Sequence, residues 1–156
     1  MVTGDSTADV AVLLVDARQG ILTQTRRHAF LVSLVGIRHV VLAINKMDLV
    51  DFDAATFTRS VEIFHRFADT LGFESITAIP LSALKGDNMT ERSARTPWYS
   101  GPTLMGYLDT VAVKRSAGDK FIFPVQWVHR PASNFPGFSC QLVAGSLRPG
   151  PAPRVA

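Results

Sequence analysis

IRHVVLAINKMD, residues 37–48, is the stretch that decides the fold. It joins an unbroken apolar run, residues 40–44, to a polar turn that carries Asn45, Lys46 and Asp48. A short run rich in Val and Ile and bounded by polar residues predicts a β-strand that is buried on both faces. Because ligands of open α/β sheets bind beyond the carboxyl ends of such strands, we expect these three side chains to face a ligand.

The side chains of this turn suit a guanine base. An ionised Asp48 could accept two parallel hydrogen bonds, which guanine offers from its ring N1–H and exocyclic amine and adenine does not. Asn45 offers a donor and an acceptor, suited to a purine N7 and to the neighbouring loop. The apolar stem of Lys46 could lie along a base or ribose. Such residues are also common in turns and helix caps, so the tetrapeptide alone leaves an ordinary turn open.

Composition limits the classes of protein to which the chain can belong. Its 156 residues are 47% hydrophobic and 19% charged, which predicts a folded chain with a core. The net charge of +3 comes from scattered Lys and Arg residues and argues against nucleic-acid binding. The single cysteine, Cys140, fits a reducing compartment. No apolar run approaches the roughly 18 residues of a membrane span and no signal peptide is recognisable, so we expect a cytoplasmic protein without membrane contact.

Strand and helix patterns alternate along the first two thirds of the chain. The strands are predicted at residues 8–17, 40–44 and 75–81, and the helices from Thr23 or Thr25 to 35, from Asp51 or Asp53 to 71, and over 103–110. The first helix is expected to bury Phe30, Leu31, Leu34 and Val35. This alternation predicts an α/β fold with three parallel strands and crossover helices. The first strand is expected to form an apolar, exposed sheet edge that needs a partner for solubility.

The remaining residues predict a second domain. We assign residues 1–113 to the α/β domain, 114–120 to a polar linker and 121–156 to the first strands of an all-β barrel domain. Strand patterns at residues 121–130 and 138–147 flank a Pro/Gly loop at 131–137. Two strands do not form an independently stable domain, so this second domain is expected to be truncated.

A second motif follows the third predicted strand. In Ser82-Ala83-Leu84, the amide N–H of Ala83 could meet a guanine carbonyl, and the Ser82 hydroxyl could brace Asp48. Leu84, with Lys85, could cover one face of the base. Alone the tripeptide also fits an ordinary β–α loop. Two such motifs, each after a buried strand, predict a guanine-binding site made of Asn45, Lys46, Asp48, Ser82, Ala83 and Leu84.

With both motifs, the chain resembles the translation-factor class of P-loop GTPases, and more closely the large, GTP-binding subunit of bacterial sulfate adenylyltransferase. The resemblance covers nearly all of residues 2–150. The segments that carry it are VDARQG (15–20), TQTRRH (23–28), GIRH (36–39), NKMDLVDF (45–52), SALKGDN (82–88), PWYSG (97–101) and FPVQWVHRP (123–131). It implies the C-terminal half of a P-loop GTPase domain followed by the start of a barrel, and a transferase complex of sulfate assimilation. In that family GTP hydrolysis is coupled to the synthesis of adenosine 5′-phosphosulfate from ATP and sulfate on a smaller catalytic partner subunit.

The chain also departs from this family. It contains no Gly-x-x-x-x-Gly-Lys-Ser/Thr phosphate loop, and the family's Asp-x-x-Gly switch segment is not found ahead of the first predicted strand. The resemblance therefore implies a fragment that carries the guanine-recognition half, with GTP as its nucleotide and the family's Mg²⁺ ligands missing. We expect no GTP turnover by the chain alone. A fragment of a translation elongation factor and a non-catalytic remnant or interaction module remain the alternatives.

Few other residues suggest chemistry. The four histidines lack metal-ligand spacing, and neither a catalytic residue nor a metal ligand is assigned. Arg26 and Arg27 fit a solvated helix face or a contact with the partner subunit. Trp98 and Tyr99 are expected to be packing residues, and Cys140 a small buried hydrophobic residue.

Overall fold

The computed structural model describes residues 8–112, 125, 127–132 and 135–139. The chain divides into two compact units between Ala112 and Val113. In the first unit the elements are β1 (Val10–Asp16), α1 (Thr23–Val35), β2 (His39–Asn45), a 3₁₀ turn (Met47–Val50), α2 (Ala54–Ala68), β3 (Ser75–Pro80) and α3 (Leu104–Thr110). The second unit contains β4 (Trp127–Ala132) and β5 (Phe135–Ser139). The predicted linker, Cys140 and the strand pattern after residue 139 lie outside the described residues.

In the described part of the first unit, three parallel strands form a sheet in the order β1-β2-β3. The prediction of an α/β fold with parallel strands is confirmed. Asp16 on β1 lies opposite Asn45 on β2, and Ile44 lies opposite Pro80 on β3. All three carboxyl ends therefore meet at one edge of the sheet, where the polar residues that follow each strand collect.

Residues 40–44 in the middle of β2 are buried because side chains cover both faces of the sheet. On one face, Val40, Leu42 and Ile44 belong to a cluster that contains residues of α1 and α2. On the other, Val41 and Ala43 join Ile79 and Leu81. This is the two-sided burial that the continuous apolar run predicted.

The edge strand β1 is covered on one face only. Leu13 and Val15 are buried, whereas Val12 is 36% and Leu14 63% exposed. Within the described residues β1 pairs with β2 alone. The prediction of an exposed apolar edge is confirmed.

The apolar face of α1 was predicted correctly for one residue of four. Val35 packs against the core cluster, but Phe30, Leu31 and Leu34 are all at least 39% exposed, and the buried residues of the helix are Ala29 and Val32. Ala29, Val32 and Val35 share one side of the helix at a spacing of three, and the exposed apolar residues lie on the other side. The predicted threonine cap is also wrong, because Leu22 occupies the N-cap without a side-chain hydrogen bond. Gly36 ends the helix at φ 91°, as predicted, in the left-handed conformation that glycine adopts without a steric penalty.

The other helices follow the sequence more closely. Asp53 caps α2, as predicted, by accepting a hydrogen bond from the Thr56 amide at 2.7 Å. The helix ends at Ala68, three residues before the predicted end, and Asp69 is its C-cap. Thr103 caps α3 by accepting from the Gly106 amide.

In the second unit, the predicted loop at residues 131–137 is wrong. β4 runs through Ala132 and β5 begins at Phe135, and the two pair antiparallel with an irregular register between His129 and Ala132. Proline and glycine were interpreted as strand breakers. Among the described residues β4 and β5 pair only with each other, and a strand tolerates proline where its ladder does not use that residue's N–H.

Candidate functional site

The loops after β2 and β3 lie side by side at the carboxyl edge of the sheet. The Leu81 amide donates to the Ile44 carbonyl at 2.8 Å, and the Met47 amide donates to the Leu81 carbonyl at 3.2 Å. Lys46 follows β2 and precedes the 3₁₀ turn. Its backbone is in the left-handed conformation, with φ 63° and ψ 33°, which turns the chain sharply at this point. The structure thus brings together the two motifs that the sequence predicted to converge.

Asn45 links the two loops directly. Its Oδ1 accepts from the amide of Lys46 at 2.7 Å and from the amide of Ala83 at 3.0 Å. Ala83 itself is exposed. In the structure the amide expected to meet a guanine carbonyl therefore donates to Asn45, and a bound carbonyl would share or replace that acceptor.

Asp48 supplies a negative charge to the same edge. Its side chain is only 7% exposed, and the Lys85 ammonium lies 3.9 Å from its Oδ2. The Ser82 hydroxyl is the main cause that lowers the pKa of the Asp48 carboxyl, and the Lys85 and Arg95 charges add smaller effects. A lowered pKa means that this group is ionised at neutral pH and acts only as an acceptor.

The loop that carries Ser82, Ala83 and Leu84 is rigidly connected at its base. Ser82 is fully buried, its carbonyl accepts from the Gly86 amide at 2.8 Å, and its own amide donates to the Asp87 carbonyl at 3.2 Å. Leu84, by contrast, is 89% exposed. The backbone hydrogen bonds of Ser82 therefore hold the base of a loop that carries the Ala83 amide and the exposed Leu84 side chain.

Asn88 is a structural residue of the site whose role the sequence analysis missed. It is 1% exposed, with φ 57°, and its Nδ2 donates to the Pro80 carbonyl at 2.8 Å and to Thr96 Oγ1 at 3.0 Å. Its Oδ1 accepts from the Ser93 amide at 2.8 Å. Asn88 thus ties the end of β3 to residues 93–96, the covering segment. Asn88 is the last residue of the Lys-Gly-Asp-Asn segment, 85–88, on which the family resemblance partly rests. That position could have indicated a role for Asn88.

Asp16 is a second residue that the sequence analysis left without a role. Its carboxylate is held by Arg18, whose side chain donates at 2.7 and 3.1 Å, and by the Lys46 ammonium at 2.9 Å. These contacts, with that of Arg18 the strongest, hold the pKa of the Asp16 carboxyl far below its ordinary value. Its position at the carboxyl end of β1, adjacent to Asn45, was the signal that could have identified it.

Trp98 and Tyr99 are packing residues, as predicted. Trp98 donates from Nε1 to the Phe52 carbonyl at 3.1 Å, and its ring lies 5.3 Å from that of Phe57. The Tyr99 hydroxyl lies 3.2 Å from the Ala78 carbonyl and 2.9 Å from the Pro102 carbonyl. Burial raises the pKa of Tyr99 to about 12. Of the two arginines of α1, Arg26 lies over the Phe67 ring at 5.7 Å and Arg27 is exposed.

Two further findings concern the described residues alone. They contain no group of three or more His, Cys, Asp or Glu side chains that could hold a metal ion, so we assign no Mg²⁺ ligand. In this same part of the chain, no helix is both long enough and apolar enough to span a membrane.

Known proteins resemble this chain in sequence and in structure. The model of the family described as "Elongation factor Tu GTP binding domain" matches residues 1–114. The chain is 54% identical over 151 residues to "Bifunctional enzyme NodQ" of Rhizobium sp. strain N33, which covers 96% of the chain and 23% of that protein. It is 52% identical to "Sulfate adenylyltransferase subunit 1" of Sulfurovum sp. strain NBC37-1, over 96% of the chain and 32% of that protein. The chain thus spans about a quarter to a third of the length of these curated relatives.

A solved structure supports the same relationship. The crystal structure of Sup35 complexed with GMPPNP matches with a TM-score of 0.65 and 32% identity. The match covers 92% of this chain and 39% of the Sup35 chain. The three-stranded sheet and its site therefore lie in a fold shared with a protein that was crystallised with GMPPNP.

Proposed function

The chain belongs to the family of the elongation factor Tu GTP-binding domain, and from this premise we propose that its sheet edge binds the guanine base of GTP. The proposed contacts are Asn45, Lys46, Asp48, Ser82, Ala83 and Leu84. The observation that supports the proposal is the hydrogen bond between Asn45 Oδ1 and the Ala83 amide, because it joins the loops that carry the two motifs.

In this proposal Asp48 selects the base. Its ionised carboxylate accepts the N1–H and exocyclic amine of guanine, a pair of donors that adenine lacks. A hydrogen bond from the Ser82 hydroxyl lowers the pKa of that carboxyl further and favours its ionised form. Ala83 donates its amide hydrogen to the guanine carbonyl. Asn45 Oδ1 accepts the same hydrogen in the structure, so it must share it with the carbonyl or give up this hydrogen bond. Lys46 and Leu84 flank the base with apolar atoms.

We propose further that the chain forms part of the GTP-binding subunit of a sulfate adenylyltransferase. Identities of 52–54% to sulfate adenylyltransferase subunit 1 and NodQ, against 32% to Sup35, support this assignment over a translation factor. The partner would then be the small catalytic subunit that makes adenosine 5′-phosphosulfate. A pull-down with that subunit and, in parallel, with ribosomes separates the two: we expect retention of the subunit only, and retention on ribosomes would favour the translation factor.

Base selectivity tests the site directly. Guanosine has about 20 heavy atoms, and at roughly −0.3 kcal/mol per atom its binding energy is limited to about −6 kcal/mol. That value corresponds to a dissociation constant of tens of micromolar at best, which NMR titration can measure. We expect guanosine to bind at least about ten-fold more tightly than adenosine or inosine, since inosine lacks the exocyclic amine and leaves one carboxylate oxygen unpaired.

The substitution Asp48→Asn gives the sharpest form of this test. An amide presents one donor and one acceptor, which match the 2-oxo group and N1–H of xanthine, so preference should move from guanosine to xanthosine. Asp51→Asn is the matched control, because Asp51 is exposed, lies three residues away and loses the same charge. Unchanged guanosine preference in Asp48→Asn would remove Asp48 from its proposed role, and equal binding of all nucleosides to the unaltered chain would refute the site.

A further inference from the structure

We propose that Asp16 is a positioning residue for the base site, because it holds the Lys46 side chain in the conformation in which it flanks the base. This inference rests on the proposed guanine site and adds to it a residue from a third strand. Asp16 lies on β1, outside both motifs, and its Oδ2 lies 2.9 Å from the Lys46 ammonium. It is therefore a contact between the edge strand and the loop after β2.

The Asp16 carboxylate is itself fixed in place. Arg18 donates to it from Nε at 3.1 Å and from Nη2 at 2.7 Å, and the Arg18 amide donates to Oδ1 at 3.0 Å. The amides of Gln19 and Gly20 donate to the Asp16 carbonyl and close the turn after β1. Because the Asp16 side chain is only 16% exposed, its ion pair with Lys46 is less screened by water than one between two fully exposed side chains.

Lys46 gains most from such an anchor. Its side chain is 48% exposed, and a free lysine side chain retains many rotamers that it must give up when it packs against a ligand. Its backbone is already fixed in the left-handed conformation and by the bond from its amide to Asn45 Oδ1. With the ammonium tied to Asp16, both ends of the side chain are fixed before a base arrives, which reduces the entropic cost of binding.

A double-mutant cycle separates positioning from a general structural effect. Guanosine affinity is measured by NMR titration for the unaltered chain, Asp16→Asn, Lys46→Gln and the double variant. Since exposed ion pairs contribute little and this one is supported by Arg18, we expect Asp16→Asn to weaken binding by about two- to five-fold. In the Lys46→Gln background the same substitution should have no further effect, because Asp16 acts only through Lys46. The guanosine-to-adenosine ratio should stay unchanged in Asp16→Asn, since Asp48 sets it.

The controls keep the outcomes distinct. Asp51→Asn removes the same charge from an exposed position and should leave affinity unchanged. Asp16→Glu retains the ion pair. If the ion pair positions Lys46, the guanosine affinity of this variant should remain within about two-fold of that of the unaltered chain. If Asp16→Asn weakened guanosine binding equally in the presence of Lys46 and in the Lys46→Gln background, the inference would be overturned and the proposed guanine site would stand. Absence of guanosine binding by the unaltered, folded chain would refute the proposed function and the inference with it.

A spectroscopic measurement tests the contact without any ligand. The chain has four lysines, so reductive ¹³C-methylation gives a small set of signals in which Lys46 is assigned by its loss in Lys46→Gln. In Asp16→Asn the Lys46 signal should sharpen and lose its dependence on salt concentration, as expected of a side chain released into water. An unaltered Lys46 signal would show that Asp16 does not hold the ammonium and would overturn the inference.

Discussion

Substitution of Asn88 by alanine should destabilise the first unit strongly, because this one side chain holds the loop after β3 in place. Its Nδ2 supports the Pro80 carbonyl at the end of β3, and its Oδ1 supports the Ser93 amide. Its backbone carbonyl also accepts from the Leu104 amide at the start of α3. The residue therefore connects β3, the covering segment and α3.

The magnitude follows from two terms. Removal of the side chain leaves the buried Pro80 carbonyl without its donor, which costs about 1–3 kcal/mol. Alanine at φ 57° adds about 1–2 kcal/mol, because asparagine tolerates the left-handed conformation and alanine does not. We therefore expect a loss of about 2–5 kcal/mol in the free energy of unfolding, a large part of the 5–15 kcal/mol typical of a domain.

Urea unfolding followed by circular dichroism measures this loss. Asn88→Gly has the same missing hydrogen bonds without the left-handed penalty, so it should be about 1 kcal/mol more stable than Asn88→Ala. Thr90→Ala, at an exposed position two residues away, is the matched control and should change stability by less than about 0.5 kcal/mol. Guanosine affinity should fall in both Asn88 variants, because the loop that carries the Ala83 amide is no longer held at the end of β3.

Two results would refute this reasoning. A loss of under about 1 kcal/mol in Asn88→Ala would mean that water satisfies the Pro80 carbonyl as well as the amide does. Equal stability of the alanine and glycine variants would mean that the backbone at residue 88 relaxes and that its left-handed conformation is not required.

The remaining predictions concern burial and titration. Phe64→Ala should cost about 3–5 kcal/mol in unfolding free energy because Phe64 is fully buried, whereas Phe30→Ala, half exposed on α1, should cost under about 0.5 kcal/mol; equal losses would contradict the assignment of the helix faces. The folded pKa of Asp16 lies far below its ordinary value of 3.8, so its stabilising effect is fully present above that value and is lost as pH falls from there towards the folded pKa; urea midpoints between pH 6 and pH 2 should therefore fall less in Asp16→Asn than in the unaltered chain. Tyr99→Phe should abolish the phenolate absorbance that develops near pH 12, and persistence of that signal would assign it elsewhere.

Much of the fold could be predicted because the spacing of apolar residues along a short segment indicates whether the segment forms a helix or a buried strand. The continuous apolar run of β2 gave a correct assignment of a strand buried on both faces, and the alternation of strands and helices gave the parallel sheet. The face of α1 could not be obtained in this way. The sequence shows which residues are apolar, but both sides of α1 carry apolar residues, and only the packing of the helix decides that Ala29 is buried and Phe30 is exposed.

The candidate site was predictable in its motifs and not in its supporting contacts. Asn45 and Ala83 could be brought together by reasoning about strand ends alone, since both follow parallel strands. The contacts of Asn88 and Asp16 depend on side chains that reach across turns, whose paths no short motif specifies. For β4 and β5 the two strands were predicted but the loop between them was made too long, because proline and glycine were given more weight than the pairing of neighbouring strands.

The link between Asn45 and Ala83 has a consequence for the order of events during synthesis. Thirty-eight positions separate these two residues, so their contact can form only after the intervening helix and third strand are complete. A nascent chain that has emerged only as far as the first motif offers half of a binding surface. Any ligand that touches both loops would thus recognise the finished sheet and discriminate against earlier, partly folded forms.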